Sequence, residues 1–174
     1  MLVIAVVGSK KSGKTTTIEA LVKGLTERGR HVATVKHISE PDFTLDTQGK
    51  DTWRHMQAGA QTVLTVANHE IGIIKKIDTV KLSLKKIVEN CGSDVDIAIL
   101  EGFRKRVSHE LAVPKVVAVK SVEEALKASR NFQPIIAFAG CASQAAEGLQ
   151  IPVVDVLRNP EQLVEIILSL WEPA

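Results

Sequence analysis

Short runs of Val, Ile and Leu alternate along the chain with stretches in which apolar residues recur every three or four positions. The runs that are apolar on both faces lie at residues 2–7, 32–35, 95–100, 116–119, 135–138 and 151–156. Such runs are typical of parallel strands covered by helices on both sides. The alternation therefore predicts an α/β fold with a mostly parallel sheet flanked by helices.

The stretches between the runs have the period of amphipathic helices. Helical patterns cover residues 18–25, 80–88, 121–126 and 159–170. Gly29 predicts the end of the first helix, and Ser121 with Glu124 forms a capping-box pattern at the start of the third. Asn159-Pro160 predicts an N-cap followed by proline at the first helical position of the fourth.

Two segments interrupt this rhythm. Residues 37–50 include Pro41, Gly49 and several acids without any period, which predicts a long loop after the second strand. Residues 61–78 instead predict two strands, 62–67 and 71–77, around the turn Asn68-His69-Glu70. We therefore expect a β-hairpin inserted into the parallel α/β pattern.

Composition limits the function classes that the chain can serve. A length of 174 residues, with 45% hydrophobic and 24% charged residues, suits one soluble domain and excludes a disordered chain or a coiled-coil rod. A net charge of +2 and 3% aromatic residues argue against a nucleic-acid partner. The apolar runs are too short to span a bilayer, so no membrane partner is expected. Cys91 and Cys141 are remote from each other, which predicts a reducing, cytoplasmic compartment.

The strongest motif is the glycine-rich loop, residues 8–15, which reads GSKKSGKT and fits GxxxxGK[ST] without mismatch. It follows a predicted strand and precedes a predicted helix. In such a loop, backbone N–H groups and the helix N-terminus point at phosphate oxygens. Lys14 would bridge the β- and γ-phosphates, and Thr15 would place its hydroxyl on Mg²⁺. We expect the Lys14 side chain to face solvent when no ligand is present.

A Mg²⁺ ion at this loop would need an acid at the carboxyl edge of the sheet. Asp94, Asp96 and Glu101 are the candidates around the run 95–100. Five residues at ~3.3 Å each place Glu101 about 16 Å beyond Asp96 along the strand. We therefore expect Glu101 to serve the ion, directly or through water, and Asp96 to cap the start of the strand.

Several further motifs follow the glycine-rich loop in a fixed order. They are Thr34-Val35-Lys36-His37, Asp46, Gly49-Lys50-Asp51-Thr52, Arg54, Ala58-Gly59-Ala60 and Leu100-Glu101-Gly102-Phe103-Arg104. With them the chain resembles the molybdopterin-guanine dinucleotide biosynthesis protein B (MobB) family of P-loop GTP-binding proteins. The resemblance runs from Leu2 to about Lys105, and the remaining third matches only in its α/β pattern.

The resemblance implies a single P-loop nucleotide-binding domain over residues 1–174, of P-loop NTPase type, with the hairpin inserted at about 61–78. It implies a dimeric accessory protein that binds GTP with Mg²⁺ and is at most a weak GTPase. The implied task is to help a MobA-like guanylyltransferase attach guanylate to molybdopterin. The family is also related to GTPases that act as metallochaperones for nickel enzymes.

The resemblance also assigns site residues. Those implied to hold the nucleotide are Gly8, Lys11, Ser12, Gly13, Lys14, Thr15 and Thr16. Asp46 and Glu101 are the implied catalytic acids, and together with Thr15 they are the implied metal ligands. Ser9 stands where many relatives carry lysine. The chain has no NKxD motif, so its residues alone leave GTP and ATP open.

Two other function classes remain as alternatives. A GTPase metallochaperone would carry a Cys/His cluster, which five scattered histidines and two remote cysteines do not suggest. A small-molecule or nucleotide kinase would carry an arginine-bearing lid, and residues 104–109 are short for one. The segment Arg104-Lys105-Arg106 suits either a solvated charge run or a site for the phosphate of molybdopterin. His37 is expected as a hydrogen-bonded loop residue and Cys91 as a buried small residue.

Overall fold

The computed structural model describes residues 1–140 and 150–171. The chain forms two compact units. The first unit comprises Met1–His37 and Leu84–Ala174, and the second comprises Ile38–Ser83. The predicted loop after the second strand and the predicted hairpin both belong to the second unit. Cys141 lies outside the described residues.

The strands follow in the order that the apolar pattern predicts, whereas the helices at residues 51–57 and 104–107 lie outside the predicted helical patterns. The described strands are β1 (Leu2–Gly8), β2 (Val32–Lys36), β3 (Thr62–Val66), β4 (Ile71–Lys75), β5 (Ile97–Glu101), β6 (Lys115–Ala118), β7 (Ile135–Ala139) and β8 (Val153–Val154). The described helices are α1 (Lys14–Thr26), α2 (Asp51–Gln57), α3 (Leu84–Val88), α4 (Arg104–Val107), α5 (Val122–Ser129) and α6 (Pro160–Leu168). Short 3₁₀ turns occupy Thr79–Lys81 and Glu89–Cys91.

The first unit contains a six-stranded sheet in the order β2-β5-β1-β6-β7-β8, in which every neighbouring pair is parallel. The middle of β1, from Ile4 to Val7, is buried, as expected for a strand covered on both faces. The predicted mostly parallel sheet flanked by helices is confirmed. The last strand is shorter than predicted, since only Val153–Val154 pairs with β7.

Alternate residues of β1 point to opposite faces of the sheet and belong to two separate hydrophobic clusters, one on each face. One cluster contains Ile4, Val6, Leu21, Leu25, Leu163 and Ile167. The other contains Ala5, Val7, Leu100, Val107, Val117 and Phe138. Full burial of each large aliphatic side chain contributes about 1.5–3 kcal/mol, so these two clusters hold the helices against the sheet.

Helices α1 and α6 pack closely on the first of these clusters. A Cβ atom built on Gly24 would lie 2.6 Å from a methyl group of Val164, so the glycine permits this approach. Arg28 at the end of α1 donates hydrogen bonds to Glu161 and to Glu165, the latter at 2.9 Å. The contact between α1 and α6 is therefore apolar at its centre and carries ion pairs at its exposed edge.

The predicted helix over 80–88 is wrong in its first half. Val80 lies in the 3₁₀ turn Thr79–Lys81, where the Asp78 carboxylate accepts its N–H, and its side chain is 81% exposed. The backbone of Leu82 is extended, so the turn does not continue into α3. The cap at Asp78 thus starts a separate turn that the apolar spacing alone cannot reveal.

The second unit contains the predicted hairpin, which is confirmed as the antiparallel pair β3 and β4. Helix α2 packs against β3, and Met56 and Val63 are buried there. The opposite face carries four apolar side chains, each more than half exposed: Leu64, Val66, Ile71 and Ile73. Among residues 1–140 and 150–171, no helix is both long and apolar enough to cross a membrane.

Candidate functional site

The glycine-rich loop connects the end of β1 to the start of α1 at the carboxyl edge of the sheet. Gly8 has φ +154°, and a Cβ atom there would lie 2.4 Å from the carbonyl oxygen of Ala118 and 2.6 Å from Ser12 Oγ. Gly13 has φ +90°, a conformation that side chains other than glycine rarely adopt. Lys11 also has a positive φ, of 59°. The loop can follow this path only because glycine stands at its two ends.

The ammonium group of Lys14 contacts the loop that carries it. Its Nζ atom donates to the carbonyl oxygen of Ser9 at 2.7 Å and to that of Gly8 at 3.3 Å. The expectation that Lys14 faces solvent is therefore wrong, because the side chain folds back on the loop and is half-buried. This burial lowers the pKa of Lys14 below its ordinary value.

The interior of the loop offers polar groups suited to an anion. Ser12 is buried, and its Oγ atom has no hydrogen-bond partner in the described structure. Leaving such a hydroxyl unpaired costs about 1–3 kcal/mol, which an oxygen of a bound ligand could recover. Gly13 provides no side-chain cap for α1, and Thr15 and Thr16 in its first turn are exposed. These groups and the helix N-terminus fit a phosphate group.

Glu101 lies where the direction of its strand predicts. It ends β5, opposite Val6 of β1 and Lys36 of β2. Its carboxylate lies 3.9 Å from Lys36 Nζ and is 17% exposed. Asp96 lies at the other end of the strand, where its Oδ2 atom accepts the N–H of His31 at 2.9 Å. The predicted positions of both acids are confirmed, and the role of Glu101 stays a prediction.

Several charges act together at this edge of the sheet. The negative charge of Glu101 favours the charged form of Lys14, whereas the positive charges of Arg104, Lys120 and Lys36 disfavour it, and burial is the largest influence on its pKa. Three cations therefore lie within electrostatic reach of the loop lysine. This concentration of positive charge around one carboxylate suits a polyanionic ligand.

His37 follows the end of β2, and Arg104 follows the end of β5, so both lie at the edge of the sheet where Glu101 ends its strand. The His37 ring lies 5.2 Å from the Phe103 ring, and the His37 N–H donates to the carbonyl oxygen of Glu101 at 2.9 Å. This bond is made by the backbone of His37, so the predicted hydrogen-bonded role of its side chain stays a prediction. The guanidinium of Arg104 lies 5.1 Å from the centre of the Phe132 ring, so the two side chains form a cation–π contact.

Asp46 belongs to the second unit, whereas Lys14, Thr15 and Glu101 belong to the first. Its Oδ1 atom accepts from the hydroxyl of Thr52 at 2.7 Å and from the N–H of Thr47 at 2.8 Å. Its Oδ2 atom is buried without a partner in the described structure. The sharing of one metal ion between Asp46 and Thr15 stays a prediction. Across residues 1–140 and 150–171, no three His, Cys, Asp or Glu side chains are grouped to hold a metal ion.

Cys91 is only partly buried, so its prediction as a buried small residue is wrong. It lies in the 3₁₀ turn Glu89–Cys91, which directly follows α3. Burial still raises the pKa of its thiol. The thiol is free, in keeping with the absence of any CxxC pattern around it.

Sequence reasoning missed the residues that hold the loop from the side. Ser9 Oγ donates to Glu124 Oε1 at 3.2 Å, and the N–H of Lys120 donates to Glu124 Oε2 at 2.9 Å. The capping box explains only half of this arrangement: Ser121 Oγ accepts the N–H of Glu124, but the Glu124 carboxylate turns to Lys120 and Ser9. Because Ser9 and Glu124 are 115 positions apart, no local pattern could have indicated their contact.

The parallel sheet, its flanking helices and the glycine-rich turn between the first strand and first helix define an α/β fold of the P-loop NTPase type. The family model described as "Molybdopterin guanine dinucleotide synthesis protein B", MobB, matches residues 3–140. The chain belongs to the MobB family, as the motifs of its sequence indicate.

Individual relatives agree with this assignment. The chain is 35% identical over 122 residues to a putative molybdopterin-guanine dinucleotide biosynthesis adapter protein of Methanocaldococcus jannaschii, covering 69% of this chain and 48% of the relative. It is 30% identical over 115 residues to the adapter protein of Haemophilus influenzae, covering 66% of this chain and 61% of that protein. The chain thus spans less than two thirds of either relative. A probable adapter protein of Bacillus subtilis is 35% identical over 132 residues, with 72% and 70% covered.

Solved structures resemble the whole described fold. A crystal structure of molybdopterin-guanine biosynthesis protein B superposes with a TM-score of 0.70 at 29% identity, covering 97% of this chain and 98% of the other. The crystal structure of Bacillus subtilis MobB gives a TM-score of 0.74 at 23% identity, with both chains fully covered, and supports the fold alone.

Proposed function

We propose that this protein is a GTP-binding adapter in the biosynthesis of molybdopterin-guanine dinucleotide. In this role it assists a MobA-like guanylyltransferase that attaches guanylate to molybdopterin. Membership of the MobB family supports the pathway, since relatives that are 30–35% identical carry the adapter name. The observation that carries nucleotide binding is the glycine-rich loop, in which a buried, unpaired Ser12 hydroxyl and the Lys14 ammonium lie beside the N-terminus of α1.

The phosphates of the nucleotide would be held by the loop itself. The groups proposed to bind them are those of Gly8, Lys11, Ser12, Gly13, Lys14, Thr15 and Thr16. Gly8 supports this assignment because a side chain there would fill the interior of the loop against Ser12 Oγ. The cations of Lys36, Arg104 and Lys120 add attraction for the triphosphate, since their charges already act on Lys14.

Mg²⁺ fits the oxygen donors that this chain provides. Thr15 would supply a hydroxyl, and Glu101 and Asp46 would supply carboxylates, the ligand types that Mg²⁺ prefers beside phosphates. Bound Mg²⁺ would neutralise charge on the phosphates. Glu101 is already partly buried at the edge of the sheet, and Asp46 has an unpaired buried oxygen. The same two acids are proposed to orient the attacking water. The GTPase activity that we propose is weak at most and depends on Mg²⁺, in line with the resemblance to the family.

The exposed face of the hairpin supports a homodimer. Leu64 lies opposite Ile73, and Val66 lies opposite Ile71, so four apolar side chains form one continuous surface. A two-stranded hairpin with such a face needs a cover in water. A second copy of this chain, presenting the same hairpin across a two-fold axis, would supply it. A reducing cytoplasmic location also belongs to the proposal, because Cys91 and Cys141 are far apart in the sequence and form no CxxC pattern.

Titration calorimetry with GTP and ATP, each with Mg²⁺, tests the proposal directly. We expect GTP to bind at micromolar concentration and ATP to bind more weakly. Addition of a MobA-like enzyme and molybdopterin should then raise the rate at which molybdopterin-guanine dinucleotide forms. Binding of neither nucleotide would contradict the GTP-binding role, and preferred binding of ATP with transfer of its phosphate to a small molecule would favour the kinase alternative.

A further inference from the structure

The side of the glycine-rich loop is attached to the first turn of α5 by a chain of polar contacts. Ser9 Oγ donates to Glu124 Oε1 at 3.2 Å. The other carboxylate oxygen of Glu124 accepts the N–H of Lys120 at 2.9 Å, and Lys120 Nζ lies 3.6 Å from Oε1. Glu124 is therefore held on α5 and by Lys120 while it binds the loop. We call Ser9, Glu124 and Lys120 the loop tether.

We propose that Glu124 is a positioning residue that fixes the glycine-rich loop through Ser9 and thereby sets the affinity of the loop for phosphates. The inference rests on the proposed nucleotide binding. It assigns a role in that site to an acid that no phosphate-loop motif contains, more than one hundred positions away in sequence.

The position of Ser9 explains why a restraint there matters. The hydroxyl of Ser9 binds Glu124, and the carbonyl oxygen of the same residue accepts the Lys14 ammonium at 2.7 Å. The carbonyl oxygen of Ser9 also accepts the N–H of Ser12 at 3.3 Å. One residue therefore connects α5 to the Lys14 ammonium and to the backbone of Ser12, and both residues are among those proposed to meet the phosphates. Displacement of Ser9 would move the supports of Lys14 and Ser12 together.

The Glu124 carboxylate has the properties that a permanent restraint requires. The N–H of Lys120 has the largest effect in lowering its pKa below the ordinary value, and the Ser9 hydroxyl and the Lys120 charge add to it. The carboxylate is thus ionised at neutral pH and accepts charge-assisted hydrogen bonds, which are stronger than neutral ones. A simple capping role would require a bond back to the N–H of Ser121, whereas the carboxylate accepts the N–H of Lys120.

The test compares Glu124→Gln and Ser9→Ala with the control Glu123→Gln. Glu123 precedes Glu124 in the same helical turn and is exposed. We expect each tether variant to weaken GTP binding about tenfold, as expected for loss of one charge-assisted hydrogen bond. The double variant should bind no more weakly than the worse single variant, because both changes break one contact. Additive losses, or unchanged affinity in both single variants, would overturn the inference.

The control separates positioning from charge. Removal of a negative charge near an anion site should by itself tighten binding, so the effect of charge alone has the same direction in Glu123→Gln and Glu124→Gln. Weaker binding in Glu124→Gln with unweakened binding in Glu123→Gln therefore supports the tether. Tighter GTP binding in both glutamine variants would show that Glu124 affects binding only through its negative charge, and it would overturn the inference. Ser9→Ala changes neither the charge of Glu124 nor helix α5. If Glu124→Gln fails to fold, the GTP affinity of Ser9→Ala alone therefore tests the loop tether.

A second measurement needs no nucleotide. Heteronuclear ¹⁵N relaxation of the amides of residues 9–13 reports the order of the loop on the picosecond-to-nanosecond scale. We expect lower order in Ser9→Ala and Glu124→Gln than in the wild type and in Glu123→Gln. Unchanged order in both tether variants would overturn the inference even if GTP binds. Failure of the wild type to bind GTP would instead contradict the proposed function, and the relaxation data would still decide whether the tether holds the loop.

Discussion

The Nζ atom of Lys14 lies 2.7 Å from the carbonyl oxygen of Ser9, so the lysine of the glycine-rich loop rests on the backbone of that loop. A phosphate group would compete with the Ser9 and Gly8 carbonyl oxygens for the same ammonium. Without a ligand, two carbonyl oxygens of the loop therefore bind the ammonium group of Lys14. This arrangement keeps the cation close to the unpaired Ser12 hydroxyl and the start of α1.

Replacement of Lys14 by Ala should abolish tight GTP binding and leave the fold intact. The ammonium is the group that the loop is proposed to place on the β- and γ-phosphates, so its removal should lower the affinity for GTP at least about tenfold. Loss of its two charge-assisted contacts with backbone carbonyl groups should cost about 1–3 kcal/mol of stability, which is less than the total stability of a domain of this size. Calorimetry and thermal unfolding measure the two effects. Lys10→Ala is the matched control, since Lys10 is exposed in the same loop, and equal binding by both variants would contradict the role of Lys14.

The variants Glu101→Gln and Asp46→Asn should weaken GTP binding in the presence of Mg²⁺ more than in the presence of a chelator. Both changes keep the size of the side chain and remove a charge that Mg²⁺ prefers as a ligand. Affinities measured with Mg²⁺ and with EDTA give this difference. Asp96→Asn serves as control because Asp96 lies at the opposite end of β5. A larger Mg²⁺-dependent loss in the control than in Glu101→Gln would exclude Glu101 as the acid of the site.

The variant Ile73→Asp should convert the dimer into a monomer. Ile73 lies opposite Leu64 in the centre of the exposed hairpin face, where a buried carboxylate would have no partner. Light scattering coupled to gel filtration measures the mass. Val80→Asp is the control, since Val80 is an exposed apolar residue of the second unit outside the hairpin. A monomeric wild type at micromolar concentration, or a dimer that survives Ile73→Asp, would refute the proposed interface.

Replacement of Lys115 by Met should destabilise the first unit. Lys115 is fully buried, and its ammonium donates to the carbonyl oxygens of Glu110, at 2.6 Å, and Gln133. Loss of these charge-assisted bonds leaves two carbonyl groups without that donor, at a cost of about 2–4 kcal/mol. Urea unfolding of wild type and variant at neutral pH measures the difference. Equal stability would show that the two carbonyl groups find other partners.

The same pair of proteins should differ in the dependence of stability on alkaline pH. Burial lowers the pKa of Lys115 in the folded protein below its ordinary value of 10.5. Between the folded and the unfolded pKa the unfolded chain binds more protons, so the stability of the wild type should rise with pH in that window. Lys115→Met lacks this contribution. A stability difference between the two proteins that is independent of pH up to 10.5 would contradict the lowered pKa.

The apolar pattern predicted much of the fold because a strand that is buried on both faces needs apolar residues at consecutive positions, and such runs are visible in the sequence. Runs such as that ending at Val7 are apolar at consecutive positions, and the hairpin strands around Asn68 are bounded by turn residues. The pattern failed at Val80, where a side-chain cap from Asp78 begins a separate turn. A cap depends on the direction of one side chain, and hydrophobic spacing does not record it.

What the sequence alone determined about the site was the glycine-rich loop and, through the direction of β5, the position of Glu101. Both follow from short-range constraints: glycine is needed where φ is positive, and a strand has a known rise per residue. Only the tertiary structure decided that Lys14 folds back on Ser9 and that Glu124 holds Ser9 from α5. The first contact depends on the direction that one side chain takes within the loop, which the residue pattern does not record. The second depends on how β6 and α5 are brought beside β1, and this packing is a property of the whole chain that no local segment contains.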